Sequence, residues 1–319
     1  MRSKVIKNIL LLVVWILSNS NVFCQQIENH FTHYTTKDGL ADGLVAAITQ
    51  DSSGFLWLGC IDGLSRFDGH TFKNYRYTPG DTTSLCENRI WGMFMDAEKR
   101  LWILTFHWLY LYHPDGEWFE HFGINALADD AFDNICAEED GQLVLAGGKS
   151  LYKFDISKKK LSIFNREGVT GPRFRDYKKD ERGREWIATD FGLTRYEPAT
   201  KQTLKIPILV NALTFTDNGY LLGRTFNRGL CYINTETGAT TQFLPDTGRL
   251  RLRGLYKLND SIFLVGTDRG IRVFHLDTKT FTSIEPDPLN PTGLLPADKA
   301  ITGIFRDREG IIWFGSEHL

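Results

Sequence analysis

The stretch Ile48 to Tyr75, ITQDSSGFLWLGCIDGLSRFDGHTFKNY, decides the fold. Asp51-Ser-Ser-Gly54 is a turn in which Gly54 can take positive φ. Phe55-Leu-Trp57-Leu58 is an apolar run of strand length. Ile61-Asp62-Gly63 reverses the chain, and Leu64-Ser-Arg-Phe67 alternates apolar with polar residues. Asp68-Gly69 is a hairpin signal, and Thr71 to Tyr75 resumes the period of two. With Val45-Ala-Ala-Ile48 in front, the unit is a four-stranded antiparallel meander, which cannot bury both of its faces alone.

The unit recurs. Asp96 to Trp102 is followed by Leu109-Tyr-Leu-Tyr112, Asp180 to Trp186 by Gly192-Leu-Thr-Arg-Tyr196, and Asp307 to Trp313 nearly restates the first copy. Weaker copies begin at Asp140, Asp217 and Asp260. The column set by Trp57 continues through Trp102, Val144, Trp186, Leu221, Leu264 and Trp313. A period of about 40–45 residues with four strands per unit describes propeller blades. The expected fold is therefore all-β, a seven-bladed β-propeller. Its blades begin near residues 45, 90, 132, 174, 211, 253 and 301. The last blade is expected to be incomplete. An outer-type strand, Phe31-Thr-His-Tyr34, precedes the first blade and is expected to pair with the last, closing the ring and covering an edge.

Basic Arg2, Lys4 and Lys7 precede an apolar run from Ile9 to Leu17, which reads as a signal peptide over residues 1–24 and leaves a propeller over 25–319. Cleavage ahead of Gln25 is favoured over acylation of Cys24, because bulky Phe23 precedes that cysteine. The chain is then exported and periplasmic. Cys60, Cys86, Cys136 and Cys231 fall in different repeats and read as small buried hydrophobes, in a chain long enough to fold without disulfides. The net charge of −2 leaves no footprint for nucleic acid or for an anionic membrane.

The pattern Asp51-x-x-Gly54-Phe-Leu-Trp57-Leu-Gly59 with Asp62-Gly63-Leu64-x-Arg66-Phe67-Asp68-Gly69-x-x-Phe72-x-x-Tyr75 resembles the two-component regulator propeller repeat. Asp38-Gly-Leu40 and Ser84-Leu85-x-x-Asn88-x-Ile90 resemble that family's blade starts. The resemblance implies the periplasmic sensor region of a hybrid two-component histidine kinase of the Bacteroidetes type. It also implies that the chain is the front part of a longer protein whose kinase and membrane anchor lie beyond Leu319. The family further implies homodimerisation of a full-length sensor held in the inner membrane.

No nucleophile, phosphate loop or dinucleotide fingerprint is present, so the chain reads as a non-enzyme with no cofactor. One Asp per Asp-x-x-Gly turn is too few oxygens for calcium, and the histidines lack metal-ligand spacing, so no metal is expected. Asp51 and Gly54 read as turn formers, and Trp57, Trp102, Trp186 and Trp313 as packing buried between blades.

Binding is expected on the loops between second and third strands, which share one face. Candidate ligand residues there are Asp62, His107, Trp108, Asp190, Phe191, Arg228, Asp268 and Arg269, suited to a glycan or another small polar ligand. Trp108 and Phe226-Asn-Arg228 break the repeat rule, which marks them as site candidates. The opposing reading is that Trp108 covers a neighbouring loop. A free exported binding module or a lyase-type enzyme is the alternative function that a propeller permits.

Overall fold

A computed structural model of the chain describes residues 31–124, 132–216, 218–226, 229–244, 250–284 and 299–317. The signal-peptide reading and Arg228 lie outside those residues. The chain divides into two units. The first is Met1–Thr32 with Pro286–Leu294, of which only Phe31 and Thr32 are described. The second, His33–Glu285 with Leu295–Leu319, carries all the strands.

The second unit is built of antiparallel meanders. Blade 1 is β1 (Val45–Gln50), β2 (Leu56–Cys60), β3 (Gly63–Phe67) and β4 (Phe72–Tyr75). Blade 2 is β5 (Gly92–Met95), β6 (Leu101–Leu104), β7 (Trp108–His113) and β8 (Trp118–Gly123). Blade 3 is β9 (Phe132–Glu139), β10 (Gln142–Gly147), β11 (Ser150–Asp155) and β12 (Lys160–Ile163). Blade 4 is β13 (Phe174–Lys179), β14 (Glu185–Thr189), β15 (Gly192–Glu197) and β16 (Gln202–Ile206). Blade 5 is β17 (Val210–Phe215), β18 (Tyr220–Thr225), β19 (Leu230–Asn234) and β20 (Thr240–Phe243). Blade 6 is β21 (Leu252–Lys257), β22 (Ile262–Thr267), β23 (Gly270–His275) and β24 (Thr280–Ser283). A two-stranded hairpin follows, β25 (Ile301–Arg306) and β26 (Ile312–Ser316).

The seven-bladed expectation is thereby corrected to six four-stranded blades and a hairpin in the seventh place. Among the described residues no third strand follows β26. The expected closing strand is corrected too, because Phe31–Tyr34 is extended chain outside any sheet. Among the described residues no third strand stands beside β26 for that segment to extend. Its side chain still takes the outer-strand place. Tyr34 stacks on Trp313 at 6.0 Å and 27°, as Tyr75 stacks on Trp57 at 5.6 Å and 24°. Phe67 and Phe72 flank Tyr34 much as Tyr112 and Phe119 flank Tyr75.

The first strands β1, β5, β9, β13, β17, β21 and β25 pack in that order, and β25 packs back on β1. Side chains fasten this seam. Thr302 Oγ1 donates to Val45 O at 2.6 Å, Gln50 Oε1 accepts from the Arg308 backbone at 3.0 Å, and the Arg308 guanidinium reaches Asp51 O at 2.6 Å.

Blades 1, 2 and 4 and the hairpin share one bracket. In blade 1, Asp51 Oδ1 accepts from the backbone of Ser53 and Phe55, closing the turn, while Oδ2 accepts from Trp57 Nε1 at 2.7 Å. Asp96–Trp102, Asp180–Trp186 and Asp307–Trp313 repeat the indole bond at 2.8, 3.1 and 2.7 Å. The turn reading of Asp51 holds, and the indole bond explains why the Trp sits six residues on. Gly54 occupies the left-handed region at φ 93°, whereas Lys99 is held there at 65° in blade 2. Trp57, Trp102 and Trp186 are buried between blades. Trp313 is only partly buried, a correction that follows from the missing third strand.

By strand register the residue of blade 5 in the Trp column is Leu222, not Leu221. Leu222 faces Thr214 as Trp57 faces Thr49 and Trp186 faces Lys178. Cys60, Cys136 and Cys231 are buried and Cys86 is half-buried, all as free thiols. Burial pushes the Cys60 and Cys231 thiols up to about 12, so they stay unreactive.

Candidate functional site

A β-bulge recurs near the start of the first strand in five of the blades and in the hairpin. One residue there has no partner on the second strand: Ala46, Asp133, Arg175, Asn211, Arg253 and Thr302. Trp91 takes the same place in blade 2, just ahead of β5, with its N–H on Leu104 O at 2.8 Å. A bulge re-aims a side chain out of the pleat. Because the first strands pack in a ring, the six bulges together with Trp91 bring seven residues around one mouth.

Contacts between bulge residues fit that convergence. Arg175 Nη1 lies 3.7 Å from Asp133 Oδ2 on the preceding blade. Asn211, Arg253 and Thr302 line one cavity of about 730 Å³, together with Arg224, Thr225, Phe226, Arg251 and Leu252. A volume of that order suits a small-molecule ligand.

The cavity is arginine-rich. Arg224 Nε donates to Asn211 Oδ1 at 2.7 Å. Burial, with the Arg253 guanidinium nearby, pushes Arg224 down to about 10, against the pull of Asp176, and it remains a cation at neutral pH. Asp176 is committed elsewhere: it is buried and accepts from the backbone of Tyr177 and, across the blade junction, of Leu213 at 2.8 Å. Arg253 Nη1 lies 3.5 Å from Glu317. At the edge of the cavity Phe226 is exposed, and the Arg175 guanidinium lies 5.2 Å from its ring centre.

Asp190 and Asp133, which also stand near this mouth, are both occupied. Asp190 holds Arg175 through two bonds of 2.7 and 3.0 Å. Asp133 is gripped by both nitrogens of Arg173, at 2.6 Å for Nε and more closely through Nη2. Opposite, the buried indole N–H of Trp91 has no acceptor among the described residues, and Arg89 lies over its ring at 4.2 Å.

The residues expected to bind ligand distribute differently from that cavity. Asp62 accepts from Asn88 Nδ2 at 2.7 Å and pairs with Arg76 at 3.3 Å, tying blade 1 to the chain entering blade 2. Asp268 exchanges backbone bonds with Arg251 across the entry to blade 6, its Oδ1 accepting from Arg251 N at 3.0 Å. The Arg269 backbone donates to Thr267 Oγ1. His107 is exposed and its Nδ1 meets Glu87 Oε1 at 2.5 Å. Trp108 is half-buried and rests edge-on against His121 at 6.1 Å, so it covers its own blade rather than standing clear. Phe191 is 71% exposed at a loop tip. Asp62 thus fastens blade 1 to the entry of blade 2, whereas Asp268 and Asp190 bind the entry of their own blades, and Asp190, through Arg175, also shapes the mouth.

The cavity arginines carried a signal that loop-reading passes over. Register places Arg224 in a column otherwise filled by Gly59, Leu104, Ala146, Ala188, Gly266 and Gly315. A long cation replaces a small or apolar residue there in blade 5 alone. Among the described residues no cluster of three His, Cys, Asp or Glu is arranged for a metal ion, and no helix is long and apolar enough to cross a membrane.

Comparison with known proteins places this architecture. Residues 295–318 match the two component regulator propeller family. A histidine kinase P4 of Formosa agariphila is 53% identical over 55 residues, which are 17% of this chain and 4% of that protein. The extracellular domain of a one component system of B. thetaiotaomicron superposes with a TM-score of 0.72 at 23% identity, over 91% of this chain and 39% of that domain. One from a hybrid two component system of the same organism superposes at 0.74 and 21% identity, over 90% and 41%. A streptogramin B lyase shares the fold at 0.66 and 14% identity, over 90% of this chain and 94% of that one. The match to the two component regulator propeller repeat thus lies in residues 295–318, and the chain shares the fold of these extracellular domains and spans about two fifths of their length.

Proposed function

We propose that this chain is the extracytoplasmic ligand-sensing propeller of a two-component sensor kinase, facing the periplasm and responding to a carbohydrate. The observation that carries the reading is the mouth itself. Five bulges of the propeller, carrying Asp133, Arg175, Asn211, Arg253 and Thr302, gather those residues into one polar opening beside exposed Phe226. Polar groups that fix orientation, set beside an aromatic face, suit a sugar's hydroxyls and its apolar ring face. The chain itself contributes recognition and no chemistry. Phosphoryl transfer, dimerisation and membrane anchoring belong to other parts of such a sensor. A ligand drives signalling only by binding two states of that whole unequally.

A thermal-shift and calorimetric screen of the purified chain against neutral and acidic mono- and oligosaccharides tests the reading. A hit should raise the midpoint with ligand concentration, since a ligand of the native state stabilises it by mass action. Phe226→Ala and Asn211→Ala should weaken that hit. Saturable binding that both variants leave unchanged would move the site away from the mouth. Turnover of a streptogramin or of a polysaccharide by the purified chain would replace the sensory reading with an enzymatic one.

A further inference from the structure

We propose that the mouth cavity is an anion site, in which Arg224, Arg253 and Arg251 receive the carboxylate or sulfate of an acidic ligand. The proposal rests on the sensory reading for the ligand's being a sugar, while its charge follows from the side chains alone.

Three guanidinium groups line one cavity of about 730 Å³. The nearby acids are already committed. Asp133 and Asp190 are held by Arg173 and Arg175, and Asp176 is buried under backbone donors. Glu317 remains, and it meets Arg253 at 3.5 Å, longer than the tight pairs of the same mouth. Arg224 has a neutral partner, Asn211 Oδ1, on one nitrogen. A half-buried guanidinium whose partner is a neutral amide is costly unless something anionic completes it. Its planar donors match a carboxylate or sulfate edge with two parallel bonds.

The cavity wall adds selectivity. Thr225 Oγ1 donates to Gly229 O at 2.9 Å and accepts from Gly229 N at 3.1 Å, and Thr302 Oγ1 is spent on Val45 O and Gly315 O. With both hydroxyls engaged, the guanidinium groups dominate recognition, and a neutral sugar gains much less here than an acidic one. Phe226, exposed at the rim, can cover the ring that carries the acid.

Calorimetry on the full chain with glucuronate, inorganic sulfate, glucose and xylose distinguishes the outcomes. Glucuronate should bind at least about tenfold more tightly than glucose. Arg224→Gln and Arg253→Gln should each lose roughly tenfold or more, as expected for a bond to a charged group. The binding should weaken as sodium chloride rises. If Arg224→Gln lowers the thermal midpoint, the exposed Arg251→Gln and Arg253→Gln carry the test, because their side chains stand clear of the packed core. Arg224→Lys should keep part of the affinity, a charge without the fork. Sulfate binding as well as glucuronate upholds the anion site but removes the sugar, and with it the carbohydrate reading. Glucose and glucuronate binding alike, no acid binding at millimolar concentration, or acid binding unaffected by the arginine variants would each overturn the anion site. Of these, arginine-independent glucose binding would still leave the sensory reading standing.

Discussion

Replacing Asp180 by Ala tests the idea that one carboxylate organises the blade that carries it. Asp180 Oδ1 accepts from the backbone of Arg182 and Arg184 at 3.0 and 2.9 Å, and Oδ2 accepts from Arg184 Nε at 2.6 Å and Trp186 Nε1 at 3.1 Å. Trp186 is fully buried and Arg184 is 7% exposed, so two of these four donors cannot turn to water. A buried donor left without its acceptor costs about 1–3 kcal/mol, and a buried pair broken on one side costs about 3–5. Arg184 keeps Thr235 O and Glu236 at 3.1 Å, which limits its share. The expected loss is about 3–5 kcal/mol, a large part of the roughly 5–15 kcal/mol by which a domain is stable. Asp180→Asn, which keeps the turn acceptor, should lose about 1–2 kcal/mol. Trp186→Phe removes the indole donor, and a double-mutant cycle with Asp180→Asn should show a coupling of about 1 kcal/mol. Urea unfolding followed by far-ultraviolet circular dichroism reads all four proteins. An Asp180→Ala protein within about 0.5 kcal/mol of the parent, or a cycle that is simply additive, would refute the bracket.

Other expectations follow from the same geometry. Trp186→Ala should cost about 3–5 kcal/mol and Trp313→Ala distinctly less, since the latter is only partly buried; equal midpoint shifts would contradict the packing described. Lys99→Gly should stabilise by about 0.5–1 kcal/mol, because φ 65° strains a side chain that Gly lacks; a lower thermal midpoint would refute it. Burial works against the ionised Asp180, but the bonds from Trp186 and Arg184 outweigh it and hold its carboxyl below the ordinary range. Its contribution is therefore complete above the unfolded value of about 3.9 and is lost as pH falls through the folded value. An acid-unfolding midpoint unchanged in Asp180→Asn would contradict that. Thr302→Val should loosen the junction of β25 with β1, and hydrogen exchange at both strands should quicken while blade 4 keeps its protection.

The blades were legible because their determinants are local. The spacing from Asp51 to Trp57 encodes both ends of a hydrogen bond, so it survives as a motif wherever that bond is made. In blade 5 Leu222 offers no indole for an aspartate to hold, and the motif gave the neighbouring Leu221 instead. The closing strand was read from a true likeness between Phe31–Tyr34 and Phe72–Tyr75. Side-chain packing realises that likeness at Tyr34, but sheet hydrogen bonds do not, because they need an adjacent strand. The site was less legible. A bulge is a one-residue offset that no apolar pattern announces, and the residues it re-aims, from Ala46 to Thr302, share no chemistry. Loop aspartates such as Asp62 and Asp268 looked uncommitted because sequence cannot show that the chain entering a blade bonds to them, the next blade's at Asp62 and its own at Asp268.

The junction of the hairpin with blade 1 gives the chain an unusual chronology. Nearly every sheet contact joins strands that are neighbours in sequence, so each meander can form by closing short loops at small entropic cost. The bonds from Thr302 to Val45 and from Gln50 to Glu309 span 257 and 259 residues. They can form only after the intervening blades have brought their partners together. The seam is therefore the last step of assembly, and the ring stays open until every blade between the two partners is in place.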